Sequence, residues 1–183
     1  MNRKVIIVSL LLVGIVAIVF GTRAIMRMNT KKHSPVDKAS ITTDDLSIII
    51  IYCRPYKKDR LIFGDANQGA LQPYGNYWRL GANEATTIET SRDIQFGSKK
   101  LPKGRYSMYA FPDRSEWTIG VNAEADRWGY AEPNHKNDLL QVKVPVHYLD
   151  DPVEQFLIKF NTSNQEINLQ FTWDTSQVSI PIH

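Results

Sequence analysis

From residue 46 onward the sequence is a succession of short segments with strand-like patterning, separated by turn residues. In the clearest of them, residues 116–122, Trp117, Ile119 and Val121 alternate with polar or small residues. A period of two places such apolar side chains on one face of a strand. About nine segments of this kind follow one another; they are residues 46–53, 84–89, 94–96, 105–111, 116–122, 139–144, 153–160, 166–173 and 178–182. This pattern predicts an all-β domain, an antiparallel β-sandwich of jelly-roll or immunoglobulin-like type.

The first residues have a different character. Residues 5–20, VIIVSLLLVGIVAIVF, are almost entirely apolar and follow Arg3 and Lys4. Extended to Thr22, the run has about 18 residues, the short end of what crosses a bilayer as a helix, and a cleaved signal peptide is the alternative. We predict a transmembrane anchor or signal segment over residues 1–26, a flexible polar tether over residues 27–44 and the β-sandwich over residues 45–183.

The flanking charges bear on which side of the membrane the domain lies. Four basic residues follow the apolar run and two precede it, which by the positive-inside rule leans toward a cytoplasmic domain. Short apolar segments behind a basic start are, however, typical of export signals. We therefore expect the domain in the periplasm or another extracytoplasmic space, membrane-anchored or secreted after cleavage.

Charge and composition exclude several classes of function. Six of the 22 basic residues lie before position 33, and no acidic residue lies there. The rest of the chain therefore has 16 basic and 19 acidic residues, so the domain carries a net negative charge. Nucleic-acid binding is not expected of such a domain, because it needs a basic surface. Four histidines without paired spacing and a single cysteine give no metal-binding framework, and we predict neither a metal nor a cofactor.

The stretch WRLGANEATTIE, residues 78–89, is the candidate site because it directs Glu84 toward apolar neighbours at the start of a strand. In one interpretation Glu84 forms a structural ion pair with an arginine such as Arg79 or Arg54, and Asn83 satisfies backbone groups of the preceding turn. In another it contacts a ligand. In a third it is a catalytic acid or base, which for a glycoside hydrolase requires a second carboxylate about 5–10 Å away. The candidates for that second carboxylate are Asp65, Asp93, Asp138 and Glu89.

Aromatic residues extend this candidate site. Trp78 and Trp128 lie among glycine and polar residues, where an indole can stack on a sugar ring or form a partly buried rim. Trp117 and Trp173, in clean alternation, are predicted to be core residues. The predicted binding residues are Trp78, Arg79, Asn83, Glu84, Tyr74 and Trp128.

A set of short motifs gives the sequence a family resemblance. They are Arg54-Pro55, Phe63-Gly64, Pro73-Tyr74-Gly75, Trp78-Arg79, Gly81-Ala-Asn-Glu-Ala-Thr-Thr87, Phe96-Gly97, Leu101-Pro102 with Gly104 and Tyr106, and Pro112 with Trp117 and Asn122. With them, residues 47–182 resemble the bacterial domain-of-unknown-function family numbered 2911. The resemblance implies an exported or envelope-associated protein, mainly of the Bacteroidota, and it brings no reaction with it.

The sequence thus predicts a membrane-tethered, extracytoplasmic β-sandwich that serves as a non-catalytic binding or envelope-associated module. Its predicted partners are the membrane, through the N-terminal segment, and a carbohydrate or an envelope protein. Two alternatives stay open. One is a hydrolase, glycoside-directed for example, that uses Glu84 as acid or base. The other is a structural partner domain of an envelope complex, which would present an apolar patch or an unpaired sheet edge.

Overall fold

The structure, a computed structural model, describes residues 3–163 and 166–183, without the side chains of residues 3–9 and 23–28. The chain divides into two units, Met1–His33 and Ser34–His183. The first unit is a single helix, α1, Arg3–His33. No helix within the described residues is long and apolar enough to cross a membrane, so the structure gives the predicted transmembrane anchor no support. Part of that predicted segment, including the side chains of residues 5–9, lies outside the described residues.

The described residues of the second unit form twelve strands and two short 3₁₀ helices. The strands are β1 (Val36–Thr42), β2 (Ser47–Cys53), β3 (Phe63–Gly64), β4 (Gln72–Pro73), β5 (Thr86–Thr90), β6 (Ile94–Phe96), β7 (Lys99–Leu101), β8 (Gly104–Phe111), β9 (Glu116–Asn122), β10 (Asp138–Pro145), β11 (His147–Ser163) and β12 (Glu166–Ile182). The 3₁₀ helices are Ala66–Gln68 and His135–Asn137.

Ten of these strands form two antiparallel sheets. The larger sheet has the order β1-β2-β5-β8-β9-β10 and the smaller one the order β11-β12-β6-β7. Strands β3 and β4 pair separately in parallel. The domain is therefore predominantly β and antiparallel, as the alternating segments predicted.

One hydrophobic core contains side chains from both sheets. The larger sheet contributes Ile50, Ile88 and Trp117, and the smaller sheet contributes Phe156 and Trp173, all at most 1% exposed. Burial of such large side chains is the main stabilising term for a domain of this size. The predicted core positions of Trp117 and Trp173 are confirmed.

Two of the predicted boundaries are wrong. The segment 27–44 is not a tether, because residues 27–33 belong to α1 and residues 36–42 form β1, which pairs with β2 along its whole length. Only Ala39 in β1 is buried, so the strand is held by backbone pairing and leaves almost no apolar pattern in the sequence. The β-unit accordingly begins at Ser34 instead of residue 45.

The strand count of about nine is also wrong, because the sequence pattern misses β1, β3, β4 and β7 and divides β12 in two. Along β12 the buried positions change parity, from Leu169, Phe171 and Trp173 to Ser176, Val178 and Ile180. The change coincides with Asp174, whose φ is +53°, and with register shifts in the pairing to β11. Such an irregularity keeps one continuous strand while moving its side chains to the other parity.

Candidate ligand-binding cavity

Trp78 joins the loop before β5 to the core. Its backbone exchanges hydrogen bonds with Ala110 of β8, at 2.8 and 2.7 Å, and its indole Nε1 donates to the Gly81 carbonyl at 3.1 Å. The ring stacks on Trp173, with centroids 5.7 Å apart and planes at 24°. Because Trp78 is only 2% exposed, its ring cannot stack on a sugar, and the prediction that Trp78 is a partly exposed binding residue is corrected.

The residues after Arg79 take backbone conformations that few sequences accept. Leu80 and Asn83 have φ values of +50° and +60°, and Gly81 has φ +145°. Positive φ is costly for a residue with a β-carbon, so the loop needs compensating contacts. One of them comes from Thr86, whose hydroxyl donates to the Leu80 carbonyl at 2.5 Å in the interior. Residues 81–86, GANEAT, thus contain both the strained turn and Thr86, whose hydrogen bond stabilises it.

Arg79 leaves this turn toward solvent. Its Nη1 donates to the Asn83 carbonyl at 3.1 Å, and its guanidinium lies over the Tyr130 ring, 5.7 Å from the centroid. The side chain is half-buried, and burial, the largest cause, lowers the pKa of its guanidinium, an effect to which nearby Arg127 adds. The turn therefore fixes one orientation of a partly desolvated cation.

The segment between β9 and β10, residues 123–137, contacts this turn and is called the covering loop below. The turn and the covering loop form the two walls of a cavity. Its Arg127 donates through Nη2 to the Tyr77 hydroxyl at 2.6 Å, and that hydroxyl donates to the Gly129 carbonyl at 3.0 Å. The Gly129 amide in turn donates to the Asn83 carbonyl at 3.1 Å. A β-carbon at Gly129 would lie 2.8 Å from Cδ of Arg79, so any larger residue at position 129 would displace the Arg79 side chain.

Between these walls is an open cavity of about 350 Å³, called the Arg79 cavity below. Its lining residues are Gln72, Tyr77, Trp78, Arg79 and Tyr130. Tyr130 is 77% exposed and forms the outer rim, whereas Tyr77 is half-buried. The cavity is within the range of small-ligand sites, which combine aromatic surface with a few polar groups that fix orientation.

Only two of the predicted binding residues line this cavity: Arg79 and the buried Trp78. Asn83 is 8% exposed and supports the turn, since its carbonyl accepts from Arg79 and its side-chain amide donates to the Ser34 carbonyl at 3.5 Å. Tyr74 lies elsewhere, under the guanidinium of Arg114, which is 5.4 Å from its ring centroid.

Glu84 and Trp128 form an isolated β-bridge beside the turn, ahead of β5. Trp128 is 39% exposed. The Glu84 carboxylate accepts from the Cys53 thiol, with Sγ and Oε2 3.7 Å apart. The predicted arginine partners are engaged elsewhere: Arg79 with the Asn83 carbonyl and Arg54 with Asp37 at 2.9 Å. Among the described residues, no ion pair joins Glu84 to Arg79 or to Arg54.

The carboxylates considered as catalytic partners of Glu84 make other contacts. Asp65 pairs with Arg114 at 3.2 Å and Asp93 with Lys100 at 2.8 Å. Asp138 accepts from Tyr109 at 2.6 Å. Glu89 is exposed on β5, with Cα partners Ile49 and Arg105. None of these contacts brings a second carboxylate to Glu84, so the geometry gives the hydrolase alternative no support.

A polar cluster that the sequence did not indicate fastens the covering loop to the outer face of the larger sheet. Tyr109 of β8 donates to Asp138 of β10, and His135 of the loop contacts the same Asp138 oxygen at 2.9 Å and Glu132 at 2.7 Å. The hydrogen bond to Glu132, followed by that to Asp138, raises the pKa of His135. Burial alone would raise the pKa of Asp138, but the hydrogen bonds that it accepts outweigh burial and lower it.

This polar cluster adjoins the Arg79 cavity. Tyr109 belongs to the polar cluster and Tyr77 lines the cavity, and their ring centroids are 5.9 Å apart. This aromatic contact therefore connects the polar cluster to the cavity. In the described part of the chain, no group of three or more histidine, cysteine or acidic side chains is arranged to hold a metal ion.

Fold and site together define a predominantly antiparallel β-domain with a small polar cavity built around a half-buried arginine. The chain belongs to the family described as a protein of unknown function (DUF2911), which it matches over residues 34–182. This confirms the family resemblance seen in the sequence, and the match begins at the same residue as the β-unit. No curated protein and no solved structure matches the chain.

Proposed function

We propose that this domain is a non-catalytic binding module and that its ligand site is the Arg79 cavity. The observation that carries the proposal is that Arg79 and two tyrosines, Tyr77 and Tyr130, together line an open cavity of about 350 Å³. Aromatic faces beside a fixed hydrogen-bond donor suit a carbohydrate, whose rings present apolar faces and polar edges.

The chemistry of the lining residues favours binding over hydrolysis. They supply one guanidinium, two phenols, one amide and one indole, with no carboxylate or imidazole among them. General acid–base catalysis near neutral pH depends on groups of the latter kind within reach of the substrate. A guanidinium that is already fixed by the Asn83 carbonyl is instead suited to orienting a ligand.

An extracytoplasmic location, membrane-anchored or released after cleavage, is part of the same proposal. Its support is the apolar run of residues 5–20 behind Arg3 and Lys4. In that setting a cavity for small polar ligands fits an envelope polysaccharide or a fragment of one.

The proposal can be tested by ¹⁹F NMR of the full-length protein carrying 3-fluorotyrosine at its eight tyrosines. Assignment uses Tyr77→Phe, Tyr130→Phe and Tyr148→Phe. Tyr148 is the internal control, since it is 50% exposed and does not line the cavity. The titrants are neutral and acidic mono- and oligosaccharides.

Binding in the cavity should give saturable shifts at Tyr77 and Tyr130 that Tyr148 does not share. The proposal is overturned if no saccharide shifts Tyr77 and Tyr130, or if all three resonances move together. A saturable response confined to Tyr148 would also overturn it, by placing the ligand elsewhere on the domain.

A further inference from the structure

We propose that the ligand of the Arg79 cavity is an acidic sugar and that Arg79 binds its carboxylate group. This inference rests on the proposed function, because it names the chemical class of ligand for the same site. Its starting point is a half-buried guanidinium for which the described residues supply no acidic partner, although acids are plentiful in the domain around it.

The first argument is the set of donors that Arg79 leaves unused. A guanidinium carries five N–H donors. In the described part of the chain Arg79 makes one hydrogen bond, from Nη1 to the Asn83 carbonyl. Its Nε and Nη2 are not buried, because the only buried side-chain nitrogens or oxygens without a partner there are Nε of Arg127 and Nε1 of Trp173. The Nε–Nη2 edge of Arg79 therefore has no hydrogen-bond partner among the described residues and is not completely buried.

The second argument is that the acids of the covering loop are all engaged elsewhere. Glu124 accepts from Asn137 at 2.8 Å, and Asp126 pairs with Arg105 at 2.6 Å. Glu132 contacts His135 at 2.7 Å. The loop thus lies against Arg79 with its own negative charges directed to other partners.

The loop instead brings a second cation. Arg127 donates through Nη1 to the Ala131 carbonyl and through Nη2 to the Tyr77 hydroxyl, and neither partner is an anion. Its proximity contributes to lowering the pKa of Arg79. Two guanidiniums near one cavity, with no carboxylate paired to either in the described residues, favour an anionic ligand over a neutral one.

Because Arg79 is partly buried, its charge without an acidic partner destabilises the unliganded protein. The largest cause of the lowered pKa of Arg79 is desolvation, which means that its charged form has lost part of its contact with water. A partly buried charge is stabilised when an opposite charge with matching hydrogen-bond geometry approaches it. An anion bound at the open edge would supply that compensation.

The number of available donors favours a carboxylate over a phosphate. Two parallel N–H groups of one guanidinium edge match the two oxygens of a planar carboxylate. A phosphate presents three oxygens and more charge, and the Nη atoms of Arg127 that could serve it are already bonded to Ala131 and Tyr77. The exposed Tyr130 ring at the rim then lies beside the sugar to which the carboxylate is attached.

The test compares a charged sugar with its neutral counterpart: methyl β-glucuronide and methyl β-glucoside. Inorganic phosphate is the tetrahedral anion. Full-length protein is titrated with each by calorimetry. We expect the glucuronide to bind at least about 10-fold more tightly than the glucoside, as a charge-assisted bidentate contact does, and the preference to shrink as salt is added.

Variants then locate the effect. Arg79→Gln should remove the preference for the glucuronide, and Arg79→Lys, which keeps the charge without the planar fork, should retain only part of it. The matched control is Arg114→Gln, because Arg114 also lies over a tyrosine ring but outside the cavity and paired with Asp65. It should leave the preference unchanged.

The outcomes separate this inference from the proposed function. Equal affinity of the wild-type protein for both sugars, with the tyrosines of the cavity still responding, would overturn the inference and leave the binding module standing. Tighter binding of phosphate than of the glucuronide would also overturn it. Failure of every titrant to bind would overturn both. The comparison of the two sugars needs only wild-type protein, so it stands even if an Arg79 variant fails to fold.

Discussion

The backbone of Gly81 lies against the backbone of Cys53 so closely that a β-carbon on Gly81 would be 2.7 Å from the Cys53 carbonyl oxygen. This contact joins the turn before β5 to the end of β2. The turn needs glycine at this position for two reasons: the contact distance and a φ of +145°. The orientation of Arg79, two residues earlier, depends on the same turn.

Replacing Gly81 by alanine should therefore be strongly destabilising. We expect Gly81→Ala to lower the free energy of unfolding by about 2–3 kcal/mol, because the new methyl group meets backbone that cannot move aside easily. Gly75→Ala is the control, since Gly75 also has positive φ, +75°, but a β-carbon there would meet nothing within 4 Å. It should cost only about 1 kcal/mol. Urea denaturation measures both, and equal losses would contradict the role given to the Cys53 contact.

The hydroxyl of Thr86 should contribute substantially to the free energy of unfolding, because it donates to the buried Leu80 carbonyl. Thr86→Val keeps the shape of the side chain but leaves the buried Leu80 carbonyl without its donor. We expect a loss of about 1–3 kcal/mol in urea denaturation. Thr87→Val is the matched control, since Thr87 is the next residue of β5, is 7% exposed and makes no side-chain hydrogen bond within the described residues. If both variants lose the same amount, the Leu80 contact does not fasten the turn.

Trp78 should behave as a core residue and not as a ligand contact. Trp78→Phe removes the hydrogen bond to Gly81 and part of the stack on Trp173. We expect it to lower the free energy of unfolding by roughly 1–3 kcal/mol. Tyr130→Phe, at a position 77% exposed, should change that free energy by less than about 0.5 kcal/mol. Thermal and urea denaturation of the two variants would decide, and a fully stable Trp78→Phe protein would argue against this placement of the indole.

The contribution of His135 to stability should depend on pH. The hydrogen bond to Glu132, with that to Asp138, raises the pKa of His135 above its ordinary value of 6.5. A raised pKa in the folded state means that the stabilisation is complete below the unfolded value and is lost as pH rises through the folded value. Because the His135 side chain is 39% exposed, we expect at most about 1 kcal/mol.

Urea denaturation from about pH 5 to about pH 9 of the wild-type protein and His135→Gln measures this dependence. The free-energy difference between them should be largest near the acidic end and should shrink above pH 6.5. His147→Gln, at an exposed position on β11, controls for the loss of one imidazole. A difference that is constant over this range would show that the charge of His135 does not stabilise the loop. Below that range, the lowered pKa of Asp138 means that its contribution is lost as pH falls through that pKa.

The parts of the fold that followed from the sequence are those in which local patterning and burial agree. Residues 116–122 alternate cleanly, and they form β9 with Trp117 inside. The strand β1 could not be found in this way, because its stability comes from pairing with β2 and only Ala39 in it is buried. The continuity of β12 was hidden for a related reason: the positive φ of Asp174 reverses the parity on which strand assignment depends.

The candidate site likewise has parts that the sequence predicted and parts that only the tertiary structure decided. The sequence by itself determined the family, the β class of the domain and the importance of the turn that carries Arg79, since these depend on local motifs and side-chain period. Only the tertiary structure placed Tyr130 of the covering loop beside Arg79, although the two are far apart in the chain, and buried Trp78 against Trp173. Contacts between distant segments depend on how the sheets and the loop pack, and no periodicity along the chain records them.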